Sequence, residues 1–553
     1  MFTKVLPLLV LLPFAAACAA PAPATAPAPA SPNAAAKPKV ERLVMAVEPP
    51  KTENNELRML NSDNWQLDPA FEYLIGLDAQ TGKLIPGLAT EWSLDQAAMT
   101  YRFKVRAGVK FHKDYGELTA NDLVASFKEL IKEDSLQGSS PFFRTTVKQF
   151  EAVNDHEVAY TLTTPTGEFL PSMSQERAGA EIMSAAHLTK SGPATMGSGP
   201  TAGTAPYQFA GRSQGAYVRF ERVPYQHWRT MPDFPQLEFR FLREPSTRMA
   251  ALLTGEAQMA ALPSDLQAQA TTRPEFAAIS ARSPVTRVRV QFDGVYYKDL
   301  KELDKGGYMH PSSPLMDVRV RKALSKAINR DEMNKAFFGG KGKPVYNYSF
   351  TPNWPGWNPD WEKRFAAEYG YDLAAAQALL AEAGFGPNTP LKTTMLSMVV
   401  QGLAAGPDVA EAIAGYWSKA GVKVDLVTMD TATFSPLQRD MKLDNHSLIH
   451  ATSANIWTGT STHSSGIKAT RSGGVGIPAG DRELLVATST LDEKKQDEAF
   501  RKAGNAYFDG HVDAPLFYLP PEITVNKTIV ADYTFPGNVT GNWSHIETIK
   551  AAK

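Results

Sequence analysis

The order of strand-rich and helix-rich segments is the feature that most constrains how this chain can fold. Its first half is rich in alternating, β-branched sequence, beginning with the strand pattern of residues 40–47. Longer helical patterns follow at 317–338, 372–384 and 408–420, and a strand pattern follows at 422–429. The tail, residues 514–535, returns to strand-like sequence.

A tail of strands must pair somewhere, because an unpaired sheet edge invites association with other chains. The sheet of the first half is the available partner, so the chain leaves a first lobe and later returns to it. Two crossovers between two lobes imply a hinge and a cleft. We predict a first lobe at 40–290, which includes an extra subdomain at about 75–200, a second lobe at 291–507 and a return to the first lobe at 508–553.

Local patterns predict a helix and two hairpins within this two-lobed arrangement. Thr119 is a helix N-cap, and the helix that follows it carries Leu123, Phe127 and Leu130 on one face. Residues 150–163 and 207–222 each have the pattern of a strand, a turn and a second strand, which predicts two hairpins.

The amino-terminal residues predict export. Lys4 precedes an apolar run, residues 5–17, which is shorter than the about 20 residues that span a bilayer but fits a signal peptide. The run ends at Cys18, the only cysteine, and resembles a bacterial lipobox although Ala15 stands where Leu is usual. We expect a signal peptide at 1–17, a lipid on Cys18 and a lipid-anchored Ala/Pro-rich tether at 18–39. The alternative is an ordinary signal peptide in which Cys18 is incidental.

The composition excludes several classes of partner. The formal charge is −1 and 21% of residues are charged, so there is no basic field for nucleic acid or an anionic membrane. No apolar run after residue 18 approaches membrane-spanning length, which leaves the lipid anchor as the expected membrane attachment. The sequence has no phosphate-binding G-x-x-x-x-G-K-[ST] loop and no H-E-x-x-H motif, and we expect no cofactor.

One hydrolase motif is present, because residues 211–215 read Gly-Arg-Ser-Gln-Gly. A nucleophile elbow needs a strand before Ser213 and a helix after it. Alternating strand-like sequence flanks both sides, which favours a hairpin turn. A secreted serine hydrolase is therefore a remote alternative, and we expect no enzyme.

A second chemical motif is the pair His446 and His450. This spacing suits a metal site on a helix, but the surrounding sequence favours a strand, on which the two rings are about 13 Å apart. We expect no metal site there.

Five collinear segments resemble the family 5 extracellular solute-binding proteins of ABC transporters. The first, 84–112, has the family's Pro-x-Leu-Ala-x-x-Trp run followed by a Thr-Tyr-x-Phe segment, and the third ends in a Gly-Glu motif. The five segments are 84–112, 203–228, 246–259, 314–333 and 371–385.

The resemblance implies an α/β, two-lobed periplasmic-binding-protein-like fold of type II, with an extra β-rich subdomain in the first lobe and a ligand cleft between the lobes. It implies a protein that captures a small solute, most often a peptide, and delivers it to an ABC permease and its ATPase subunits. We expect a monomer that is exported and anchored by lipid to the cell membrane or to the periplasmic face of the envelope. The alternative ligand is a neutral or anionic non-peptide such as an oligosaccharide or a metal chelate.

Residues 445–480 depart from the peptide-binding pattern. In the relatives this region of the second lobe carries an Asp near a Trp, and that Asp pairs with the peptide amine. Trp457 is present here, but no acid lies between Asp444 and Asp481. The polar and aromatic residues suit a neutral solute or a blocked peptide, and Arg471 suits a carboxylate. A carboxylate elsewhere in the lobe, such as Asp430 or Asp444, is the alternative partner for an amine.

Other candidates follow from position in the family pattern. Residues 61–74 lie where the first lobe meets its ligand, and the Pro-rich loop 347–361 carries aromatic rings that suit stacking, although such a loop is also explained by its own packing. The candidate ligand-binding residues are Trp65, Phe71, Tyr73, Trp354, Trp357, His450, Asn455, Trp457, Thr458 and Arg471.

Overall fold

The computed structural model describes residues 38–60, 63–176, 180–191, 197–282, 286–299, 303, 305–352, 354–398, 403, 405–452, 474–537 and 543–553. The predicted signal peptide, Cys18 and nearly all of the tether lie outside the described residues. Within the described residues, no helix combines the length and the apolar character that crossing a bilayer requires.

The strands are β1 (Arg42–Val47), β2 (Ile75–Leu77), β3 (Leu84–Pro86), β4 (Ala89–Asp95), β5 (Thr100–Val105), β6 (Val147–Asn154), β7 (Glu157–Leu162), β8 (Tyr207–Ser213), β9 (Tyr217–Arg222), β10 (Gln236–Phe241), β11 (Met259–Ala260), β12 (Phe276–Ser280), β13 (Thr286–Asp293), β14 (Lys343–Pro344), β15 (Lys392–Ser397), β16 (Lys423–Thr428), β17 (His446–Thr452), β18 (Asp513–Leu519), β19 (Glu522–Asn526), β20 (Val530–Asp532) and β21 (Lys550–Ala551).

The helices are α1 (Ala120–Leu130), α2 (Ser140–Thr146), α3 (Phe169–Ser172), α4 (Ala185–Ser191), α5 (Pro245–Thr254), α6 (Ser264–Ala270), α7 (Val318–Lys326), α8 (Arg330–Phe338), α9 (Asp360–Tyr369), α10 (Leu373–Glu382), α11 (Gly406–Lys419), α12 (Thr431–Arg439), α13 (Pro478–Ser489) and α14 (Glu493–Asp509).

The first lobe is built on a sheet whose described strands run in the order β12-β19-β11-β1-β10-β9-β8. Strand β1 is parallel to β10 and β11, and the other neighbours are antiparallel. Alternate side chains of β1 and β10, including Leu43, Met45 and Phe239, enter one buried apolar cluster. The hairpin predicted at 207–222 is confirmed as β8 and β9.

The second lobe is built on a sheet of described strands in the order β14-β18-β13-β17-β15-β16. Strand β13 is its central member and pairs antiparallel with both β17 and β18. Helices α7, α9, α11 and α14 contribute Leu324, Trp361, Trp417 and Phe500 to a single core beneath this sheet. The two sheets with their helices form the predicted two-lobed α/β architecture.

A smaller antiparallel sheet, β4-β5-β7-β6, forms the β-rich subdomain of the first lobe. Helix α1 packs Leu123, Phe127 and Leu130 into its core, as its sequence periodicity predicts. The Thr119 cap is confirmed, because Asp122 Oδ2 accepts both the Thr119 backbone N–H at 2.8 Å and its hydroxyl at 2.9 Å.

The chain passes between the two large sheets twice. It crosses first between β12, which ends at Ser280, and β13, which begins at Thr286, and it crosses back between β18 and β19 through Pro520 and Pro521. Strand β13 lies wholly in the second sheet. The boundary between the lobes that the sequence predicts, at residue 290, therefore falls inside this strand. Strand β18 also belongs to the second sheet, which places the return later than residue 508.

The helical segment predicted at 317–338 is two helices rather than one. Helix α7 ends at Lys326, and α8 begins after Asn329, whose side-chain oxygen accepts the Glu332 N–H at 3.1 Å. An Asn cap satisfies the free amides of a new helix, so the chain changes direction where apolar periodicity alone suggests continuity. Arg321, on α7, donates to the carbonyls of Gly510 and His511, so it ties the helix to the segment that precedes β18.

Three separate parts of the first lobe meet at the buried carboxylate of Glu72. It accepts hydrogen bonds from Trp228 Nε1 at 3.1 Å and from Arg229 Nε at 3.0 Å. Arg229 also donates to Glu547 in the tail. Burial opposes ionisation of Glu72, but Arg229, His227 and Trp228 outweigh it and lower its pKa from 4.5 to about 2.

Glu72→Gln should therefore destabilise the protein at neutral pH. A carboxyl whose pKa falls from 4.5 to about 2 on folding adds about 3 kcal/mol of stability above the unfolded pKa, and this is lost as the pH falls through the folded value. The difference in unfolding free energy between wild type and variant should shrink between about pH 4.5 and pH 2, as measured by urea unfolding. Glu91→Gln, at an exposed pair with Lys104, is the matched control and should change stability by less than about 0.5 kcal/mol. A pH-independent difference would contradict this account.

Candidate ligand-binding site

Strand β13 places a row of polar side chains in the interior of the second lobe. Its even-numbered residues, such as Val288 and Val290, enter the apolar core. The odd-numbered residues Arg287, Arg289 and Asp293 are 0% exposed on the opposite side of the strand. Charged groups are rarely buried without a partner, so each of these side chains needs hydrogen bonds, an ion pair or aromatic contacts inside the lobe.

Arg289 is compensated by neighbours in the same sheet. Its guanidinium donates to Asp513 Oδ2 at 3.1 Å and to Gln291 Oε1 at 2.6 Å. The Gln291 amide in turn donates to both oxygens of Asp293, at 3.1 and 3.0 Å, and the Gly474 N–H donates to Asp293 Oδ1 at 2.5 Å. Burial raises the pKa of Asp513 to about 6 although Arg289 opposes the shift.

Aromatic rings cover both arginines. The Tyr348 ring centre lies 4.1 Å from Arg289 Cζ and 5.5 Å from Arg287 Cζ, and the Trp354 ring centre lies 4.5 Å from Arg287 Cζ. The Tyr348 hydroxyl lies 2.6 Å from His450 Nδ1. The structure thus brings together two residues predicted from sequence, Trp354 and His450, around an arginine and a tyrosine that sequence reasoning did not select.

Arg287 stands close to both lobes. It is the second residue of the first strand after the crossing from β12. Burial lowers its pKa, whereas Tyr348, Tyr518 and Glu176 favour its charged form. Glu176 follows α3, whose Phe169 belongs to the core of the first-lobe subdomain. A guanidinium in this position, with aromatic faces beside it, is suited to planar carboxylate or amide groups.

The first-lobe candidates occupy a different environment. Phe71 is buried in the first-sheet core, and Trp65 packs against the same core with its ring centre 5.6 Å from that of Phe239 in an edge contact. The Tyr73 hydroxyl donates to Glu181 Oε1 at 2.9 Å and to Asp68 Oδ1 at 3.2 Å. These three rings belong to the first lobe's cores and are not part of the cluster around Arg287.

The remaining candidates divide into two groups. Trp357 packs on the second-lobe core, with its ring centre 5.4 Å from that of Trp361 in an edge contact, which is the packing role that the sequence left open. Asn455, Trp457, Thr458 and Arg471 lie outside the described residues.

Nothing in the described part of the chain points to a metal centre, since no group of three or more His, Cys, Asp and Glu side chains there is arranged to hold an ion. The predicted strand at His446 and His450 is confirmed as β17. His446 Nδ1 lies 2.6 Å from the Asp444 carbonyl, whereas His450 faces Tyr348, so each ring has its own partner.

Comparison with known proteins assigns the family. Residues 83–464 match the model of the bacterial extracellular solute-binding proteins, family 5. The dipeptide-binding protein of Escherichia coli (strain K12) is 27% identical over 413 residues, covering 71% of this chain and 70% of that protein. The glutathione-binding protein GsiB of Pectobacterium atrosepticum is 26% identical over 495 residues, covering 84% and 86%.

Solved structures agree on the fold. HbpA2 from Haemophilus parasuis superposes with a TM-score of 0.74 at 21% identity, covering 93% of this chain and 100% of that one. At this identity the superposition establishes the fold, which is the mixed α/β periplasmic-binding-protein architecture that the sequence predicted. The family match spans more than half of the chain, and the chain therefore belongs to the bacterial extracellular solute-binding proteins of family 5.

Proposed function

We propose that this protein captures a short peptide or peptide-like solute between its lobes and presents it to the permease and ATPase subunits of an ABC importer. Membership of the family supports solute capture. The 27% identity to a protein named for dipeptide binding supports a peptide-like ligand. The lobes close around the solute by rotation about their two crossings, as in other hinged binding proteins.

The single observation that carries this proposal is the buried Arg287 between aromatic rings at the start of β13. A peptide offers planar amides along its backbone and a carboxylate at its end. Arginine matches a carboxylate with two parallel hydrogen bonds, and indole or phenol rings stack on amide planes. Low local dielectric strengthens such an ion pair, so a solute carboxylate placed here is bound more tightly than on an exposed surface.

Asp481, one of the two acids that flank the segment without a carboxylate, is committed to other groups. Asp481 is buried and accepts hydrogen bonds from the hydroxyls of Tyr297 at 2.6 Å and Tyr507 at 2.7 Å. It also accepts the Ile477 N–H at 2.9 Å. A carboxylate held in this way is part of the lobe's interior, so the peptide amine is a minor determinant of affinity.

The protein binds its solute without transforming it. Ser213 ends β8 and is followed by a turn and by strand β9, whereas a nucleophile elbow continues into a helix. The family is one of binding proteins. The G-x-S-x-G motif is therefore explained as a hairpin turn.

The protein works outside the cytoplasm on a lipid anchor at Cys18, as a monomer. The position of the only cysteine directly after a short apolar run supports this proposal. The composition of residues 19–39, almost wholly Ala, Pro, Ser and Thr, suits a tether between a lipid at Cys18 and the binding lobes.

Arg287→Met should lower the affinity for a short peptide by about tenfold or more, because a hydrogen bond to a charged group is worth about 1.5–3 kcal/mol. Amidation of the peptide's carboxyl terminus should weaken binding to wild type by a similar factor and change binding to the variant little. Calorimetry on the four combinations forms a double-mutant cycle. Arg364→Met, at an exposed pair with Asp509 in the same lobe, is the control and should bind as wild type does. Equal losses on amidation for wild type and Arg287→Met would show that Arg287 does not meet the carboxylate.

Acetylation of the peptide amine should weaken binding by less than about tenfold, or 1.4 kcal/mol. The physical reason is that no acid lies between Asp444 and Asp481 and that Asp481 is already engaged by two tyrosines. Calorimetry with the acetylated and free forms of one peptide measures the difference. A much larger loss would identify a carboxylate elsewhere in the cleft as the partner of the amine.

Cys18→Ser should move the protein from the membrane fraction to the soluble extracytoplasmic fraction, or leave an unprocessed precursor, because the thiol is the site of lipid attachment. Immunoblots of fractionated cells test this. Ser31→Ala, in the tether, is the control and should leave the distribution unchanged. A Cys18→Ser protein that stays in the membrane fraction with its leader removed would contradict lipidation.

A further inference from the structure

Lys341 joins the two lobes directly. It lies in the second lobe, in the turn between α8 and β14. Its Nζ lies 2.6 Å from Gln267 Oε1 and 2.6 Å from Glu522 Oε2. Gln267 belongs to α6 and Glu522 opens β19, and both of these elements belong to the first lobe.

The second-lobe side of this contact is held in a fixed geometry. Gly339 and Gly340 adopt φ values of +57° and +77°, which favour glycine, and turn the chain out of α8. Asn334 then holds the turn by accepting the Gly342 N–H at 2.8 Å and donating to the Gly342 carbonyl at 2.8 Å. This turn fixes the position of the Lys341 backbone, from which the side chain extends to the other lobe.

The first-lobe side is also ordered by its own contacts. Glu522 Oε1 accepts the Ser280 hydroxyl at 2.7 Å, which leaves Oε2 for Lys341. Gln267 is 2% exposed within α6. Two acceptors are therefore fixed at the point that Lys341 reaches, and little conformational entropy is lost when the contact forms.

This contact lies beside the chain crossings. Strand β14 pairs with Tyr518 and Phe517 of β18, directly before the prolines at 520 and 521, and Glu522 comes directly after them. A rotation of the lobes about the crossing changes the separation between Lys341 and its acceptors. The contact is consequently sensitive to the angle between the lobes.

Two electrostatic interactions also link the lobes in this arrangement. Glu176, from the first lobe, acts on the buried Arg287 of the second. Burial raises the pKa of Tyr101, in the subdomain, to about 12, and Glu493 in the first turn of α14 adds to the shift. Charges of one lobe are thus felt by buried groups of the other across the cleft.

We propose that the lobes are closed in this arrangement and that an interlobe latch beside the hinge, formed by Lys341, Glu522 and Gln267, stabilises this closed form without touching the solute. The lysine is a positioning residue for capture, because a solute bound between the lobes is released only when they open. The effect on solute affinity rests on the proposed function, whereas the effect on the lobe angle does not.

The latch is expected to be modest in strength. Lys341 keeps 43% of its side chain exposed and Glu522 keeps 16%, so salt and water weaken the pair. A change of about three- to tenfold in the closing equilibrium is the expected scale, and the apparent affinity for solute changes by the same factor when only the closed form binds tightly.

The test is small-angle X-ray scattering on the solute-free full chain. Lys341→Met and Glu522→Gln should each increase the radius of gyration, and the double variant should add nothing to the larger single effect. Lys343→Met is the matched control, since this exposed lysine lies two residues away on β14, and it should scatter as wild type does. The charge-exchanged variant Lys341→Glu/Glu522→Lys should restore the compact form. Thermal unfolding of each variant identifies any that fails to fold.

Peptide binding by the same variants separates the two proposals. Lys341→Met should bind a short peptide about three- to tenfold more weakly, mainly through faster dissociation. Unchanged scattering for both single variants would overturn the latch. Expanded scattering in a protein that binds no peptide in any form would uphold the latch and reject the peptide ligand.

Discussion

Strand β19 connects the parts of the first sheet and also carries the chain back from the second lobe to the first. In the described sheet it lies between β11 and β12, so β12 joins the sheet through β19. It arrives directly from β18 of the second sheet across Pro520 and Pro521. Proline has no N–H to donate to a ladder, so the two sheets stay separate although the strands nearly touch along the chain. The lobes are consequently bound to each other at two crossings and retain a rotation about them.

The contrast between the lobe interiors and the joint between them suits a binding protein. Within the first lobe, the buried Glu72 and the partly exposed Arg229 are each bonded to several partners, which holds the subdomain, the sheet and the tail as one body. At the joint, the contact of Lys341 with Glu522 is partly exposed and therefore weak. Rigid bodies with a weak joint can close and reopen at modest energetic cost, which capture and release both require.

The candidate site in the second lobe is distinguished by buried charge. Taking a guanidinium out of water is costly, and Arg289 offsets the cost through Asp513 and Gln291 while aromatic faces cover both arginines. Arg287 is buried next to the crossing and is influenced by a carboxylate of the other lobe. The guanidinium has already lost its hydration when the protein folds. The binding of an anionic group of a solute there would therefore need less free energy to remove water from the cation.

The sequence by itself determined the elements whose signals are local and the family to which the chain belongs. Each of these local signals lies within a short stretch of sequence. They predicted the cap at Thr119, the hairpin at 207–222 and the strand at His450. The burial of Arg287 and Arg289 was decided by the tertiary structure, because charges at alternate strand positions ordinarily indicate a solvated face, whereas here Tyr348 and Trp354 pack over them. The break at Asn329 follows instead from a local cap, which apolar periodicity does not register. The position of the return at Pro520 depends on what a distant segment offers as a partner, and a one-dimensional pattern carries no record of that partner.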